Sequence, residues 1–282
     1  MGKRFSVFII INMRLTKKLL RKLILEYLEQ EQKLFGSWVE EIDKHTISSG
    51  NSVSDRNVWI EANIGRRLGG GAYRDAYELK DNSDFILKIA KKPPGETADE
   101  GFVMNKQEKE LFNQYPDFFP KVYTASPEYK NGHEWIIIEK ANVMQGASYD
   151  EYKFEGSGDA YKDYQIAGNN VGHLSRNFPH AIKYIIEIHK LIFGNDDYSQ
   201  VFIMHAFQET INSLLLSSRR NPLYKKLSVL AVKAYNTDAK FQKLVNIIDD
   251  MDIAVGDIDV GNVGFRKDTG EFLIIDSSIW ED

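Results

Sequence analysis

The 282-residue chain contains no cysteine, which excludes disulfide bonds and zinc sites built on thiolates. Basic residues are not in excess, because 36 lysines and arginines stand against 41 aspartates and glutamates and the formal net charge is −5. We therefore expect no nucleic-acid partner. No apolar run approaches the roughly 18 residues that a membrane-spanning helix needs. These absences lead us to expect a cytoplasmic protein, in a host cytoplasm if the gene is carried by a phage.

Hydrophobic residues make up 43% of the sequence and aromatic residues 12%, which is enough for one large core or for two lobes. The six histidines show no spacing typical of metal ligands. His189 and His205 lie among apolar residues, so we expect both to pack in the core.

The N-terminal region differs in pattern from the rest of the chain. Residues 14–34 have leucines at helical spacing, with basic residues between them at the start and acidic residues later, which predicts an amphipathic helix. We expect this helix to pack on the protein's own surface; contact with a protein partner or an anionic membrane surface is the alternative. Residues 36–57 are polar and rich in serine, asparagine and aspartate, which predicts a linker or a loop. Residues 1–57 would then form a helix and linker ahead of the folded part.

A run of three glycines lies between two segments, residues 58–68 and 73–79, that predict strands. The glycines are Gly69, Gly70 and Gly71. Because glycine has no Cβ, a backbone of this kind can approach a phosphate group closely. A tight turn is the alternative interpretation of the same run.

Lys88 lies inside an apolar run, residues 85–90, which predicts a further strand. A strand would deliver its ammonium group from a fixed position to the phosphates of a nucleotide. Such a lysine needs an acidic partner, and residues 105–112 predict a helix that carries two candidates, Glu108 and Glu110. The alternative interpretation is that Lys88 lies at a solvated sheet edge or strand end.

The C-terminal region combines three oxygen-bearing side chains with a predicted hairpin. Asp257 is followed five residues later by Asn262, and the second strand of a hairpin over residues 263–275 leads into Asp276. Amide and carboxylate oxygens suit Mg²⁺, a hard cation. Asn262 and Asp276 are therefore candidate metal ligands, and Asp257 is a candidate for orienting the proton of an attacking hydroxyl.

A glycine loop, a strand lysine, a helix glutamate and an Asp-x4-Asn pattern, in this order, are typical of ATP-dependent phosphoryl transfer. Residues 58–280 resemble the protein kinase-like superfamily. In compactness they are closer to its atypical and aminoglycoside-phosphotransferase-like branches than to ordinary protein kinases. The resemblance favours Glu108 over Glu110 as the partner of Lys88, because Leu111 then follows on the same helix face.

The resemblance implies an α+β, two-lobed protein kinase-like fold that binds ATP and Mg²⁺ between its lobes. Residues 58–141 would form a small antiparallel-sheet N-lobe with one helix, and residues 142–282 a mostly helical C-lobe with a catalytic hairpin. Residues 135–141 resemble the strand leading into the hinge, where Glu139 and Ala141 would bind adenine through backbone groups. The γ-phosphoryl group would pass to a hydroxyl of a protein or a small molecule.

Four stretches complete the prediction for the second half of the chain. Residues 180–193, 200–218 and 223–250 carry apolar residues at helical spacing and predict helices. Residues 142–172 are rich in glycine, tyrosine, aspartate and asparagine, which predicts a surface loop, with a substrate loop near the cleft as the alternative.

The sequence departs from the family pattern at four places. Arg74 stands where the third loop glycine is usual, and Val255 replaces the catalytic-loop histidine. Asp259 stands where kinases carry a cation, and Ser277-Ser278 replaces the Phe-Gly that follows the metal-binding aspartate. These departures support an alternative, a catalytically weak or inactive module that binds nucleotide and a protein partner. A nucleotidyl transferase on the same fold has no support beyond the fold itself.

Overall fold

The computed structural model describes residues 38–71, 73–80, 82–91, 100–129, 131–144, 160–194, 202–215 and 222–276, and the predicted helix over residues 14–34 lies outside them. The described residues form an α+β fold of helices and antiparallel sheets, which agrees with the predicted fold class. None of the described helices is long and apolar enough to cross a membrane.

A five-stranded antiparallel sheet dominates the first half of the described chain. Its strands are β1 (Gly65–Gly70), β2 (Arg74–Leu79), β3 (Phe85–Ala90), β4 (Val122–Ala125) and β7 (Trp135–Glu139), and the short pair β5 (Glu128–Tyr129) and β6 (Gly132–His133) lies between β4 and β7 in the chain. The strand order is β1-β2-β3-β7-β4. Helix α3 (Glu100–Gln114) follows β3, so the predicted succession of lysine strand and glutamate helix is confirmed.

Strand β3 lies at the centre of this sheet, and all six of its residues are buried. Because side chains alternate across a strand, Leu87 and Ile89 face one hydrophobic core. Ile86 and Lys88 face the opposite side of the sheet, where Glu108 of α3 meets the lysine. The alternation therefore turns a polar group of an otherwise apolar strand toward α3.

The interpretation of residues 36–57 as a linker or loop is wrong at residues 38–44 and 53–57, which are helical, whereas residues 45–52 connect the two helices. A helix, α1, covers residues 38–44. Helix α2 (Val53–Asn63) begins after Ser52. The side-chain oxygen of Ser52 accepts a hydrogen bond from the N–H of Asp55 and so caps the first turn of the helix. The strand predicted over residues 58–68 is also wrong in its first half, because α2 occupies it.

This N-terminal segment packs on the sheet through apolar residues and one buried ion pair. Ile42 of α1 and Ile60 of α2 belong to the same core as β3. The guanidinium of Arg56 is buried and lies 3.1 Å from the carboxylate of Glu134, which also accepts the N–H of Ile47 at 2.6 Å. Because the charge of Arg56 is neutralised by a residue far away in the sequence, the polar composition of residues 36–57 gives no sign of this packing.

The second half of the described chain is mostly helical. Its helices are α4 (Ala160–Asn177), α5 (Ile182–Phe193), α6 (Ile203–Leu215), α7 (Pro222–Thr237) and α8 (Ala239–Asp250). The helix predicted over residues 180–193 is confirmed from Ile182 onward, and the helix predicted over residues 200–218 is confirmed over Ile203–Leu215. The helical stretch over residues 223–250 divides at Asp238, whose carboxylate caps the first turn of α8. The loop predicted over residues 142–172 is wrong where α4 occupies it.

The predicted C-terminal hairpin is confirmed. Its strands β9 (Val263–Phe265) and β10 (Phe272–Ile274) form a three-stranded sheet with β8 (Asn142–Val143), in the order β10-β9-β8. The ring of Phe272 lies 5.4 Å from that of Phe178 and 5.7 Å from that of Phe207 on α6. These aromatic contacts attach the hairpin to the helical core, while β8 connects it to the segment that follows β7.

Candidate functional site

A cleft with a volume of about 490 Å³ lies between the five-stranded sheet and the C-terminal hairpin. Nine of the predicted site residues line it: Gly69, Gly70, Gly71, Lys88, Glu139, Ala141, Asp257, Asn262 and Asp276. The tenth, Glu108, lies behind Lys88 and contacts its ammonium group. The fold therefore brings together residues that are almost two hundred positions apart in the sequence.

The glycine run forms the edge of the cleft where β1 turns into β2. The pairing of β1 with β2 shifts register between Arg67 and Gly69, which marks a β-bulge beside the cleft. A Cβ built on Gly69 or on Gly71 would meet no atom within 4 Å, so both backbones face open space. A Cβ on Gly70 would collide with the carboxylate of Asp75, so a larger residue there would make that side chain shift.

Lys88 is held by Glu108 on the inner wall of the cleft. Its Nζ donates to both carboxylate oxygens of Glu108 at 2.9 Å and to the carbonyl oxygen of Ile275 at 2.6 Å. Glu108 is buried, whereas Glu110 is exposed on the other side of α3. The structure thus joins Lys88 to Glu108 and not to Glu110, and it fixes the ammonium between α3 and the end of the hairpin.

Arg74, at the start of β2, makes contacts that the sequence did not indicate. Its Nη1 donates to Glu108 at 2.7 Å and to the amide oxygen of Asn105 at 3.3 Å, and its Nη2 donates to Asp276. Burial acts to lower the pKa of Arg74, but the carboxylates of Glu108 and Asp276 outweigh burial and raise it. The departure at the third loop glycine was the only sequence signal that pointed to this residue.

Asp276 is a charged carboxylate that lines the cleft next to Lys88 and Arg74. Burial acts to raise its pKa, but the positive charges of Lys88 and Arg74 outweigh burial, and the pKa lies below its ordinary value. Its Oδ1 lies 3.8 Å from Nζ of Lys88, and 46% of its side chain is exposed. Asp276 therefore stays ionised at neutral pH with part of its surface open to a ligand.

The hairpin holds Asn262 and Asp276 side by side. The carbonyl oxygen of Asn262 accepts the N–H of Asp276, and the side chains of both residues line the cleft. The described residues contain no group of three histidine, aspartate or glutamate side chains that could hold a metal ion alone. An amide and a carboxylate fit Mg²⁺ nonetheless, because this ion is usually bound by one or two protein oxygens together with phosphate oxygens and water.

Asp257 ends a short 3₁₀ helix, Val255–Asp257, and lines the cleft. Its N–H donates to the carbonyl of Ala254 at 2.9 Å, and Gln208 of α6 donates to the carbonyl of Gly256 at 3.2 Å. These bonds attach the loop to the helical core. Asp257 is thereby presented to the cleft from a fixed backbone.

Asp259 stabilises the loop that follows. Its carboxylate accepts the N–H of Val260 at 2.6 Å, and its carbonyl accepts the N–H groups of Asn262 and Val263 at 3.1 and 3.2 Å. Burial raises the pKa of the Asp259 carboxyl above its ordinary value. Asp259 thus shapes the turn before Asn262, at the position where the resemblance to kinases predicts a positively charged residue.

The residues predicted to form a hinge, Glu139 and Ala141, line the cleft. The carboxylate of Glu139 accepts from Arg266 at 3.0 Å and from the N–H of Lys121 at 3.1 Å, so its charge is used within the fold. The N–H groups of Glu139 and Lys140 donate to carbonyls of neighbouring segments at 2.8 and 2.9 Å. A planar ligand beside residues 139–141 would therefore have to hydrogen-bond to their carbonyl groups or to the N–H of Ala141.

The sequence matches no known protein-family model, and a search of curated proteins finds no similar sequence. The interpretation of the cleft therefore depends on the contacts and charges of its own residues.

Proposed function

We propose that the protein has a two-lobed kinase-like fold and is a Mg²⁺-ATP-dependent phosphotransferase that acts on a hydroxyl of a protein or a small molecule. The observation that carries this proposal is the convergence of Lys88, Glu108, Asn262 and Asp276 on one cleft beneath a glycine run. Each residue type has the chemistry that phosphoryl transfer requires, and the four come from three separate segments.

The roles follow from the positions of the side chains. Glu108 holds Lys88 so that its ammonium group can contact the α- and β-phosphates. Asn262 and Asp276 would hold Mg²⁺, which supplies neutralisation of the phosphate charges when bound. Asp257 accepts or orients the proton of the attacking hydroxyl. Catalysis of this kind is mostly positioning and charge stabilisation.

The size and shape of the cleft also support a nucleotide. Its volume of about 490 Å³ lies within the range of roughly 300–1,000 Å³ that small-molecule sites span. The hinge end is lined by the apolar side chains of Ile86, Ile138 and Val143, whereas the end near Asp276 is charged. An adenine ring would occupy the first end and the phosphates the second.

A second candidate is a catalytically weak or inactive module that binds nucleotide and a protein partner. One observation favours it: the position two residues after Asp257 is a carboxylate, Asp259, committed to the turn before Asn262. This site therefore lacks, at that position, the cation that would balance the γ-phosphate during transfer.

Incubation with γ-labelled ATP and Mg²⁺, alone and with a cell lysate, separates the two candidates. A phosphotransferase transfers label to a protein or a metabolite. Asp257→Ala should then lower turnover by about a hundredfold or more while nucleotide affinity stays near that of the wild type, and the exposed Asp268→Ala on the hairpin should change neither. If Asp257→Ala retains full turnover while Asp276→Ala abolishes it, the activity is not kinase-type chemistry and the binding module becomes the better account.

A further inference from the structure

Arg74 occupies the phosphate end of the cleft with a buried guanidinium group. It lines the cleft, and 7% of its side chain is exposed. One end of the guanidinium, Nη1, is anchored on Glu108 at 2.7 Å. The other end, Nη2, is bonded to Asp276, the carboxylate that the proposed function assigns to the metal. Arg74 therefore occupies Oδ1 of Asp276, and a metal ion that binds through this oxygen would compete with Arg74 for it.

The charges of this cluster cancel. Two cations, Lys88 and Arg74, face two carboxylates, Glu108 and Asp276. A bare divalent cation that binds Asp276 through Oδ1 would have to displace Arg74. Through either carboxylate oxygen it would lie close to two positive charges, which is unfavourable in a partly buried site. A metal ion that arrives with a polyphosphate brings negative charge of its own, which offsets both effects.

A phosphate also offers Arg74 a replacement for the contact that it gives up. Guanidinium groups bind phosphate oxygens through paired, charge-assisted hydrogen bonds. Because Nη1 is held by Glu108 and by Asn105, the group can rotate its Nη2 end from Asp276 toward a phosphate without leaving its anchor. Asp276 is released to the metal in the same movement.

We propose that Arg74 is a phosphate ligand that makes the metal and the polyphosphate bind together rather than separately. In the free protein Arg74 neutralises Asp276. When a metal–polyphosphate complex binds, Arg74 exchanges Asp276 for a phosphate oxygen. This inference rests on the proposed function, since it requires that the cleft accept a nucleoside polyphosphate.

Calorimetric titrations of the full-length chain test it with three ligands: Mn²⁺ alone, Mg²⁺-ATP, and adenosine. In Arg74→Gln, the affinity for Mg²⁺-ATP should fall about ten- to a hundredfold, the range for a lost hydrogen bond to a charged group. The affinity for Mn²⁺ alone should rise, because Asp276 loses its competing cation. Adenosine should bind as it does to the wild type, which also shows that the variant is folded.

Two further variants complete the design. Arg74→Lys keeps the positive charge but loses the paired N–H donors of the guanidinium. We expect its affinity for Mg²⁺-ATP to lie between those of the wild type and Arg74→Gln. Arg66→Gln removes an exposed arginine of β1 that pairs with Glu78 outside the cleft, and it should bind all three ligands as the wild type does.

The outcomes separate this inference from the function on which it rests. If the wild type binds no ATP with or without metal, the proposed function fails and the role of Arg74 fails with it. If the wild type binds Mg²⁺-ATP and Arg74→Gln binds it equally well or more tightly, Arg74 is a structural or blocking residue. That result overturns the inference and leaves the proposed function in place.

Discussion

The backbone carbonyl of Asn262 accepts hydrogen bonds from the N–H groups of Ile275 and Asp276, at 2.8 and 3.2 Å. These two bonds close the base of the β9–β10 hairpin and fix the two candidate metal residues next to each other. The adjacent carbonyl of Ile275 accepts from Lys88 at 2.6 Å. The hairpin backbone therefore holds the two candidate metal residues beside each other and close to Lys88.

Glu108 should be a major determinant of stability as well as of the site. Its carboxylate neutralises two buried cations, Lys88 and Arg74, at 2.9 and 2.7 Å. Removing one partner of a buried ion pair leaves uncompensated charge, so we expect Glu108→Gln to lower the free energy of unfolding by about 3–5 kcal/mol. Urea denaturation measures it. Glu110→Gln, on the exposed side of the same helix, is the control and should stay within about 0.5 kcal/mol of the wild type. Equal stability of the two variants would show that the cluster does not hold α3 to the sheet.

The buried pair Arg56–Glu134 should make residues 38–63 an integral part of the folded unit. Both side chains are 1% exposed, and their atoms lie 3.1 Å apart. Arg56→Met leaves Glu134 charged and buried, so we expect a loss of about 3–5 kcal/mol in the free energy of unfolding. Arg66→Met breaks the exposed pair of Arg66 with Glu78 and should cost no more than about 1 kcal/mol. If Arg56→Met unfolds at the same urea concentration as Arg66→Met, the segment contributes little to the fold.

Acidification below the ordinary pKa of histidine should destabilise the protein through His189. Burial, and to a smaller degree the neighbouring His205, lowers the pKa of His189 to about 4. A histidine in the unfolded chain has a pKa of about 6.5. Between about pH 6.5 and pH 4 the unfolded state therefore binds more protons than the folded state. The share of the free energy of unfolding that His189 contributes above this range is lost progressively as the pH falls through it. By pH 5 the loss should reach about 2 kcal/mol.

Unfolding free energies at pH 7.5 and pH 5 test this expectation. His189→Leu should remove that share of the acid sensitivity. His180→Leu, at an exposed position, should retain it. Identical pH dependence in the wild type and in His189→Leu would contradict the buried, neutral histidine.

Much of the site could be predicted because its parts are local patterns. The alternation of residues 85–90 and the helical spacing around Glu108 fix which side chains point inward, and the turn after Phe265 predicts the hairpin that ends at Asp276. Joint occurrence in a fixed order then indicated that the segments meet. The structure brings those residues to one cleft, although their chemical roles remain predictions.

Two of the failures share a physical cause, which is a partner far away in the sequence. Residues 36–57 are polar enough to resemble a linker, and their packing depends on Arg56, whose buried guanidinium pairs with Glu134 between β6 and β7. Arg74 was noted as a missing glycine, but its contacts with Glu108 and Asp276 join three segments and leave no periodic signal. Pattern reasoning detects faces of single elements, whereas these contacts depend on tertiary structure.

The most direct test of the central claim is the effect of ATP on the melting temperature, measured with Mg²⁺ and with a chelator in place of the metal. A ligand that binds the native state raises the melting temperature by mass action. We predict a rise with ATP and Mg²⁺ together, little change with either alone, and a strongly reduced rise in Asp276→Asn but not in the exposed hairpin control Asp268→Asn. A wild type whose melting temperature shows no metal-dependent change at millimolar ATP would contradict the account.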